Sequence, residues 1–288
     1  MDQFIQQDNE QMINKHNDEI MLGERFKFGT NWASFLDKVD NNRINLAEQS
    51  LKKSLKLDSL DGMTFIDVGC GSGLFSLVAR KLGATVFSFD YDPESVWCTQ
   101  NLKNKYFPND PAWKIEEGSI LDHEYVKSLG QFDIVYSWGV LHHTGAMWSA
   151  ISNFTGLVAD NGTCLLAIYN DQGLGSKLWY LTKRIYNKLP SKLNSLILVP
   201  SLIRLWGPTT IRDIVKGHPG RTWKNYAKES FRGMSAWHDV VDWVGGYPFE
   251  VAKPDEIISF FIKEKFVLVG LKTCGGGHGC NEFVLKKK

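Results

Sequence analysis

Apolar residues recur along this chain with two alternating spacings. Between Phe26 and Leu55 the residues Trp32, Phe35, Leu36, Val39, Ile44, Leu46, Ala47, Leu51 and Leu55 return at helical intervals, which predicts helices with one buried face. Short extended runs follow: Thr64 to Val68, Thr85 to Asp90, about Trp113 to Gly118, Asp133 to Ser137 and Thr163 to Ile168. Between the first of these lie helical patterns, Leu74 to Leu82 and Pro93 to Tyr106, the second opening on a proline, as a first helical turn permits. Strand and helix alternating in this way predict a mostly parallel sheet. After the fifth strand roughly eighty residues interrupt the alternation, with helical stretches at Ser176 to Leu189 and Leu193 to Trp206 and a patterned stretch at Trp237 to Glu250. A helix at Pro254 to Lys265 and strands at Phe266 to Lys272 and Glu282 to Leu285 then close the sheet. Residues 1 to about 22 show no apolar period and read as a polar, mobile lead-in. The division expected is a helical segment at 1–62, a sheet domain at 63–170 and 254–288, and an inserted lid at 171–253.

The chemistry concentrates where the first strand ends, in Thr64-Phe-Ile-Asp67-Val-Gly69-Cys-Gly71-Ser-Gly73. Glycines on alternate positions between a strand and a helix allow a tight turn against which a ligand can lie directly on the main chain. A dinucleotide turn has the spacing G-x-G-x-x-G, but here the third glycine comes one residue early, and Asp67 would repel a pyrophosphate. Asp90, ending the second strand, stands where a carboxylate accepts both hydroxyls of a ribose. An adenosine carrying a cationic amino-acid tail suits both acids.

In order and spacing, Asp67 to Gly73, Asp90, Gly118-Ser119-Ile120-Leu121-Asp122 and Phe132-Asp133-Ile134-Val135-Tyr136 resemble the class I S-adenosylmethionine-dependent methyltransferases, most closely the ubiquinone-biosynthesis O-methyltransferase type. The resemblance implies a Rossmann-like α/β fold. Its sheet has seven strands with the last antiparallel, a helical cover precedes it, and a helical lid is inserted after strand five. It implies S-adenosyl-L-methionine as cofactor, held by Arg43 at the carboxylate, by Asp67, Gly69, Gly71 and Gly73 at the turn, by Asp90 and Tyr91 at the ribose, by Ser119 and Ile120 at the adenine, and by Trp138 as a cover. Some relatives bind a divalent cation with two acids and a histidine after strand four. Those places hold Gly139, His142 and His143 here, so no metal is expected. The two histidines are the candidate catalytic residues, since an acceptor hydroxyl must lose its proton as the new bond forms. Tyr169, Asn170, Arg232 and Asp242 are the candidate acceptor contacts.

Composition changes the picture in two places. Five cysteines without a C-x-x-C pair, an N-terminus unlike a signal peptide and no apolar run long enough to cross a bilayer imply a cytoplasmic protein, with peripheral membrane contact left open. Between Ser176 and Arg232 twelve basic residues face two acidic ones, while the whole chain carries a net charge of +1. That bias predicts an anionic partner at the lid, or a merely solvated surface. The function expected is methyl transfer to a hydroxyl of a small, anionic acceptor such as a glycan precursor, nucleotide sugar, quinone or lipid-linked molecule, with nucleic acid disfavoured. The alternatives are an RNA methyltransferase gripping phosphates with the lid, and a binding protein without catalysis. Cys274-Gly-Gly-Gly-His278-Gly-Cys280 reads as a wide hairpin that approaches something closely, in preference to a metal site, for which two cysteines and one histidine are too few ligands.

Overall fold

The computed structural model describes residues 2–36, 39–229, 236–275 and 277–288. Helices α1 (Asp2–Met21), α2 (Phe28–Leu36) and α3 (Asn41–Leu55) lead into β1 (Thr64–Val68). Then come α4 (Leu74–Lys81), β2 (Thr85–Asp90), α5 (Pro93–Tyr106), β3 (Trp113–Glu117), α6 (His123–Ser128), β4 (Phe132–Trp138), α7 (Met147–Gly156) and β5 (Val158–Tyr169). The helix starts follow local chemistry. Asp92 caps α5 by accepting from Glu94 N at 2.9 Å, and Asp122 caps α6 by accepting from Tyr125 N at 3.0 Å.

The expected seven-stranded sheet forms in the order β3-β2-β1-β4-β5-β7-β6, with β6 (Phe266–Lys272) and β7 (Cys280–Lys287) joining after the insertion. Strand β7 runs antiparallel to both β5 and β6. Side chains alternate between two buried layers: Ile134 and Tyr136 pack with α3 and α4, while Val135 between them packs with α7. Burial on both faces explains why the strands read as continuous apolar runs. Strand β5 starts earlier than its apolar run, because Val158 pairs with Phe132 before a register shift, and Thr163 then pairs with Ile134. Asp160, Asn161 and Gly162 fall in that shift, Asn161 at φ 62°, which disguises the strand's beginning as a turn.

The insertion holds α8 (Leu174–Lys188), α9 (Ser195–Val215), α10 (Arg221–Glu229) and α11 (Ala236–Gly245), followed by α12 (Pro254–Lys263) of the main domain. Its two ends are clamped together. Asn170 bridges Ala252, Ala252 N donates to Tyr169 O at 3.0 Å, and Asp171 N donates to Ala252 O at 3.2 Å. A separate core of Trp179, Tyr186, Val240, Val244 and Phe249 holds the lid helices together. Inside it the buried ammonium of Lys183 donates to Trp243 O and lies 4.7 Å from the Trp243 ring centroid. The opposite faces of α8 and α9 leave aliphatic rows in solvent, including Leu178, Leu181, Leu196 and Ile203.

Candidate active site

The turn between β1 and α4 is fixed from the neighbouring strand. Gly69 N and Cys70 N donate to Phe89 O at 2.9 and 3.1 Å, and Gly71 N donates to a carboxylate oxygen of Asp90 at 2.9 Å. Gly69 and Gly71 have φ of 76° and 54°, and a β-carbon would meet Val140 at 2.3 Å in the first case and the Trp32 ring at 3.1 Å in the second. Both line a cavity of about 600 Å³, within the ~300–1,000 Å³ typical of small-molecule sites. Gly73 does not line it. A β-carbon there would meet Thr99 at 2.8 Å, so this glycine lets α4 lie close against α5.

Two acids sit at the turn. Asp67 ends a chain of buried donors in which Trp113 Nε1 gives to Ser88, Ser88 to Ser76, and Ser76 to the carboxylate at 2.5 Å. Burial pushes the Asp67 carboxyl up to about 7, with Asp90 repelling its charge and the Ser76 bond opposing the rise. Burial likewise raises Asp90 to about 7, with repulsion from Asp92 second, despite the amides of Gly71 and Asp92 that donate to it. A cationic group brought beside them would relieve both, and a ribose hydroxyl pair could donate to Asp90. The bare backbone at Gly69 and Gly71 and the two desolvated acids thus suit an adenosyl group with a positively charged tail. Tyr91, Ser119, Ile120 and Trp138 line the same cavity.

The beginning of the chain differs from expectation. The stretch read as a polar, mobile lead-in is helix α1, and its Lys15, His16 and Glu19 line the cavity. His16 is 2% exposed, edge-on to Tyr91 and 3.9 Å from Asp92; burial lowers its pKa and Asp92 partly restores it. Polarity all round the helix gave no stripe to read. Arg43 is placed elsewhere. It lies in the first turn of α3, where its backbone N and its guanidinium both donate to the cap Asp40, at 2.8 and 3.1 Å, and it does not line the cavity. Among the described residues the arginine that does is Arg25, which no motif signalled. It pairs with Glu19 at 2.6 Å, donates to His143 O at 3.2 Å and stacks over Tyr91 at 4.7 Å. Next to it, Phe26 N donates to Tyr247 O at 2.8 Å, pinning this cover to the lid.

At the far end of the cavity, a short 3₁₀ turn at Leu141–His143 presents one histidine and hides the other. His143 lines the cavity and its Nδ1 lies 2.6 Å from Pro248 O. A carbonyl only accepts, so Nδ1 carries the proton and Nε2 is the basic nitrogen of the ring. His142 is fully buried beneath, its ring 3.9 Å from that of Tyr169, which corrects its candidacy as a catalytic group. Asn170 is likewise structural, donating to Gly279 O through its backbone and accepting from Asn281. Tyr169 and Asp242 do line the cavity, and Arg232 lies outside the described residues. The glycine-rich hairpin brings His278 to 5.4 Å from Trp243 and into the lining. Among the described residues no group of three His, Cys, Asp or Glu could hold a metal ion.

Charge is divided across the lid. Lys177, Arg184, Lys188 and Lys192 are exposed and lie outside the cavity lining. The charged lid side chains lining the cavity, among the described residues, are Asp239 and Asp242. Two lid cations still act on the cavity wall, because Arg204 and the buried Lys183 add to burial in lowering the pKa of His278.

The profile of the methyltransferase-domain family matches residues 40–229. Among curated proteins, a ribosomal protein L11 methyltransferase of Helicobacter hepaticus is 28% identical over 120 residues, or 41% of this chain and 33% of the relative. A tRNA U34 carboxymethyltransferase of Alcanivorax borkumensis is 32% identical over 111 residues, or 38% and 33%. This chain thus spans about a third of the length of each. Among solved structures, magnesium protoporphyrin IX methyltransferase of Synechocystis PCC 6803 with bound SAH superposes with a TM-score of 0.50 at 14% identity, covering 86% of this chain and 84% of that one, which is a likeness of fold. These findings overturn the expected small anionic acceptor and the disfavouring of nucleic acid. Relatives named for a ribosomal protein and for tRNA stand among the matches, and the cavity's lid side is acidic.

Proposed function

Since the chain belongs to the methyltransferase-domain family, as a class I S-adenosylmethionine-dependent enzyme of the Rossmann type, we propose that it methylates RNA, with the ribose 2′-hydroxyl as the receiving oxygen. The observation that carries this reading is the division of charge across the lid: lysines and arginines outside, where a phosphate backbone can lie, and acids with aromatic rings inside. The tRNA-directed relative supports it. A 2′-hydroxyl also separates RNA from DNA at a site of this kind. From the likeness to the ubiquinone-biosynthesis type we keep only the oxygen as acceptor atom.

S-adenosylmethionine supplies, when bound, a methyl on a positively charged sulfur that leaves as a neutral thioether with the electron pair of the broken bond. Asp90 would accept from the ribose of that cofactor, with Tyr91 beside it; Asp67 and its acidic surroundings would receive the ammonium, and Lys15 and Arg25 the carboxylate. Ser119 and Ile120 would face the adenine, with Trp138 as a cover. His143 Nε2 takes the acceptor's proton as the oxygen–carbon bond forms. Pro248 O holds that ring in its working tautomer. In this division residues 63–170 and 254–288 bind the cofactor, 1–62 cover it, and 171–253 meet the acceptor. An RNA acceptor together with five free thiols supports a cytoplasmic setting.

The test is incubation with total tRNA and labelled cofactor, followed by nucleoside mass spectrometry. A 2′-O-methyl nucleoside is expected. His143→Asn should lower its formation by about 10²- to 10⁴-fold without changing cofactor affinity. Protein that binds the cofactor yet methylates no RNA would refute the reading.

A further inference from the structure

The outer faces of the two longest lid helices are apolar where a surface helix is ordinarily polar. On α8 the residues Leu174, Leu178, Leu181 and Ile185 recur at helical spacing, so they form one stripe, and all four are exposed. On α9 the same spacing joins Leu196, Val199 and Ile203, each with half or more of its surface in water. Both helices turn their other sides to α11: Trp179 and Tyr186 of α8 and Leu198 and Leu202 of α9 pack in the core that holds Val240 and Val244. Single exposed leucines are common, but rows of this length mark a surface that meets something apolar. The charges beside them are of one sign. From Gln172 to Arg212 the chain holds no acidic residue, while Lys177, Arg184, Lys188, Lys192, Arg204 and Arg212 are exposed. By spacing, Lys177, Arg184 and Lys188 run along one flank of the α8 stripe, and Lys183 falls on the opposite side, in the core.

Going beyond the RNA reading, we infer that α8 and α9 dock the protein on a membrane surface that carries anionic lipids, with the aliphatic rows sunk among the acyl chains and the cations at the head groups. A helix with leucines on one side and lysines or arginines along their edge lies in the plane of such a surface, and each basic side chain near anionic lipid adds to the attraction. The charge selects this occupant over two others. A second copy of the chain would bring the same cations face to face with no acids to pair them. RNA would take the cations and leave the aliphatic rows in water, since leucine and isoleucine offer no ring on which a base can stack. A lipid surface takes both at once. Leu205, on the opposite side of α9, lines the cavity, so the docked face and the cavity lie back to back. Because the same cations meet phosphates of either kind, a lid lying on lipid is closed to RNA.

The experiment floats the full chain with vesicles of phosphatidylcholine, alone or mixed with phosphatidylglycerol. Recovery with the anionic vesicles should exceed that with neutral ones by about tenfold or more, and added salt should weaken it. Leu178→Gln, Leu181→Gln, Leu196→Gln and Ile203→Gln, combined in one variant, keep every cation and suit a helix. The exchanged side chains are exposed, so the melting temperature and the affinity for S-adenosylhomocysteine should stay those of the parent. Vesicle binding should fall by about tenfold or more. No binding of the parent to anionic vesicles, equal binding to neutral ones, or a variant that binds as well as the parent would overturn the inference. So would a dimeric parent beside a monomeric variant, or a variant that loses tRNA binding as well, since the rows would then belong to a second copy or to RNA. Vesicle binding by a protein that methylates no RNA removes the RNA reading alone, and RNA methylation without vesicle binding removes the membrane inference alone.

Discussion

Asp67 and Asp90 give the cofactor end a definite pH signature. Burial holds both carboxyls near 7, above their ordinary 3.8, so the folded chain binds more protons than the unfolded chain between those values. Their contribution to stability is therefore full on the acid side and declines as pH rises from about 4 to about 7. A cation in the site favours the ionised acids and reverses the preference. Cofactor binding should release protons near neutrality, and affinity should fall below pH 7 by up to about tenfold per pH unit for each acid that must ionise. Calorimetry in two buffers of different ionisation enthalpy measures that release, and its absence would contradict the assignment of both acids. These residues were legible in the sequence because glycines at fixed offsets and an acid ending the next strand form a local code. Arg25 was not, since it reaches Tyr91 and His143 only through the packing of a cover with no motif of its own. Arg43 donates to the cap of its own helix, Asp40, a contact that the resemblance did not announce.

The clamp at Asn170 and Ala252 makes the insertion separable among the elements. Its helices carry their own core, and chain entry and exit are already hydrogen-bonded to each other. Replacing 172–251 by a short glycine-serine link should leave a folded sheet domain that methylates nothing and binds S-adenosylhomocysteine more weakly than the parent, since Tyr247, the anchor of the cover, goes with the lid, checked by calorimetry and turnover. The sheet elements could be read from period and punctuation, the exception being the start of β5, where a register break mimics a turn. The lid was harder. Helix α9 runs on through Gly207 and Pro208 to Val215, past the expected end at Trp206, because packing overrides the local breakers. Helix α1 could not be seen at all, since its polar sequence shows no apolar repeat, and the side chain it buries against Tyr91, His16, is itself polar.

For the whole molecule, the division of charge predicts how binding responds to salt. Exposed cations gripping phosphates release counterions, so RNA affinity should fall linearly in log–log form as salt rises. Reversing Lys177, Arg184, Lys188 and Lys192 to glutamate should shallow that slope by about one for each phosphate no longer neutralised, with cofactor affinity unchanged. Filter binding across a salt series measures it, and an unaltered slope would place the RNA elsewhere. The sequence disclosed the excess of basic residues but not which side of the lid each one faces, because sidedness is set by the lid's separate core. The attachment of Phe26 to Tyr247 and of Arg25 to His143 also bears on how the protein is made. The segment that roofs the cofactor leaves the ribosome well before its anchor, which lies more than two hundred residues downstream. It can seat only once Tyr247 has emerged, and the nascent protein carries an open chamber until then.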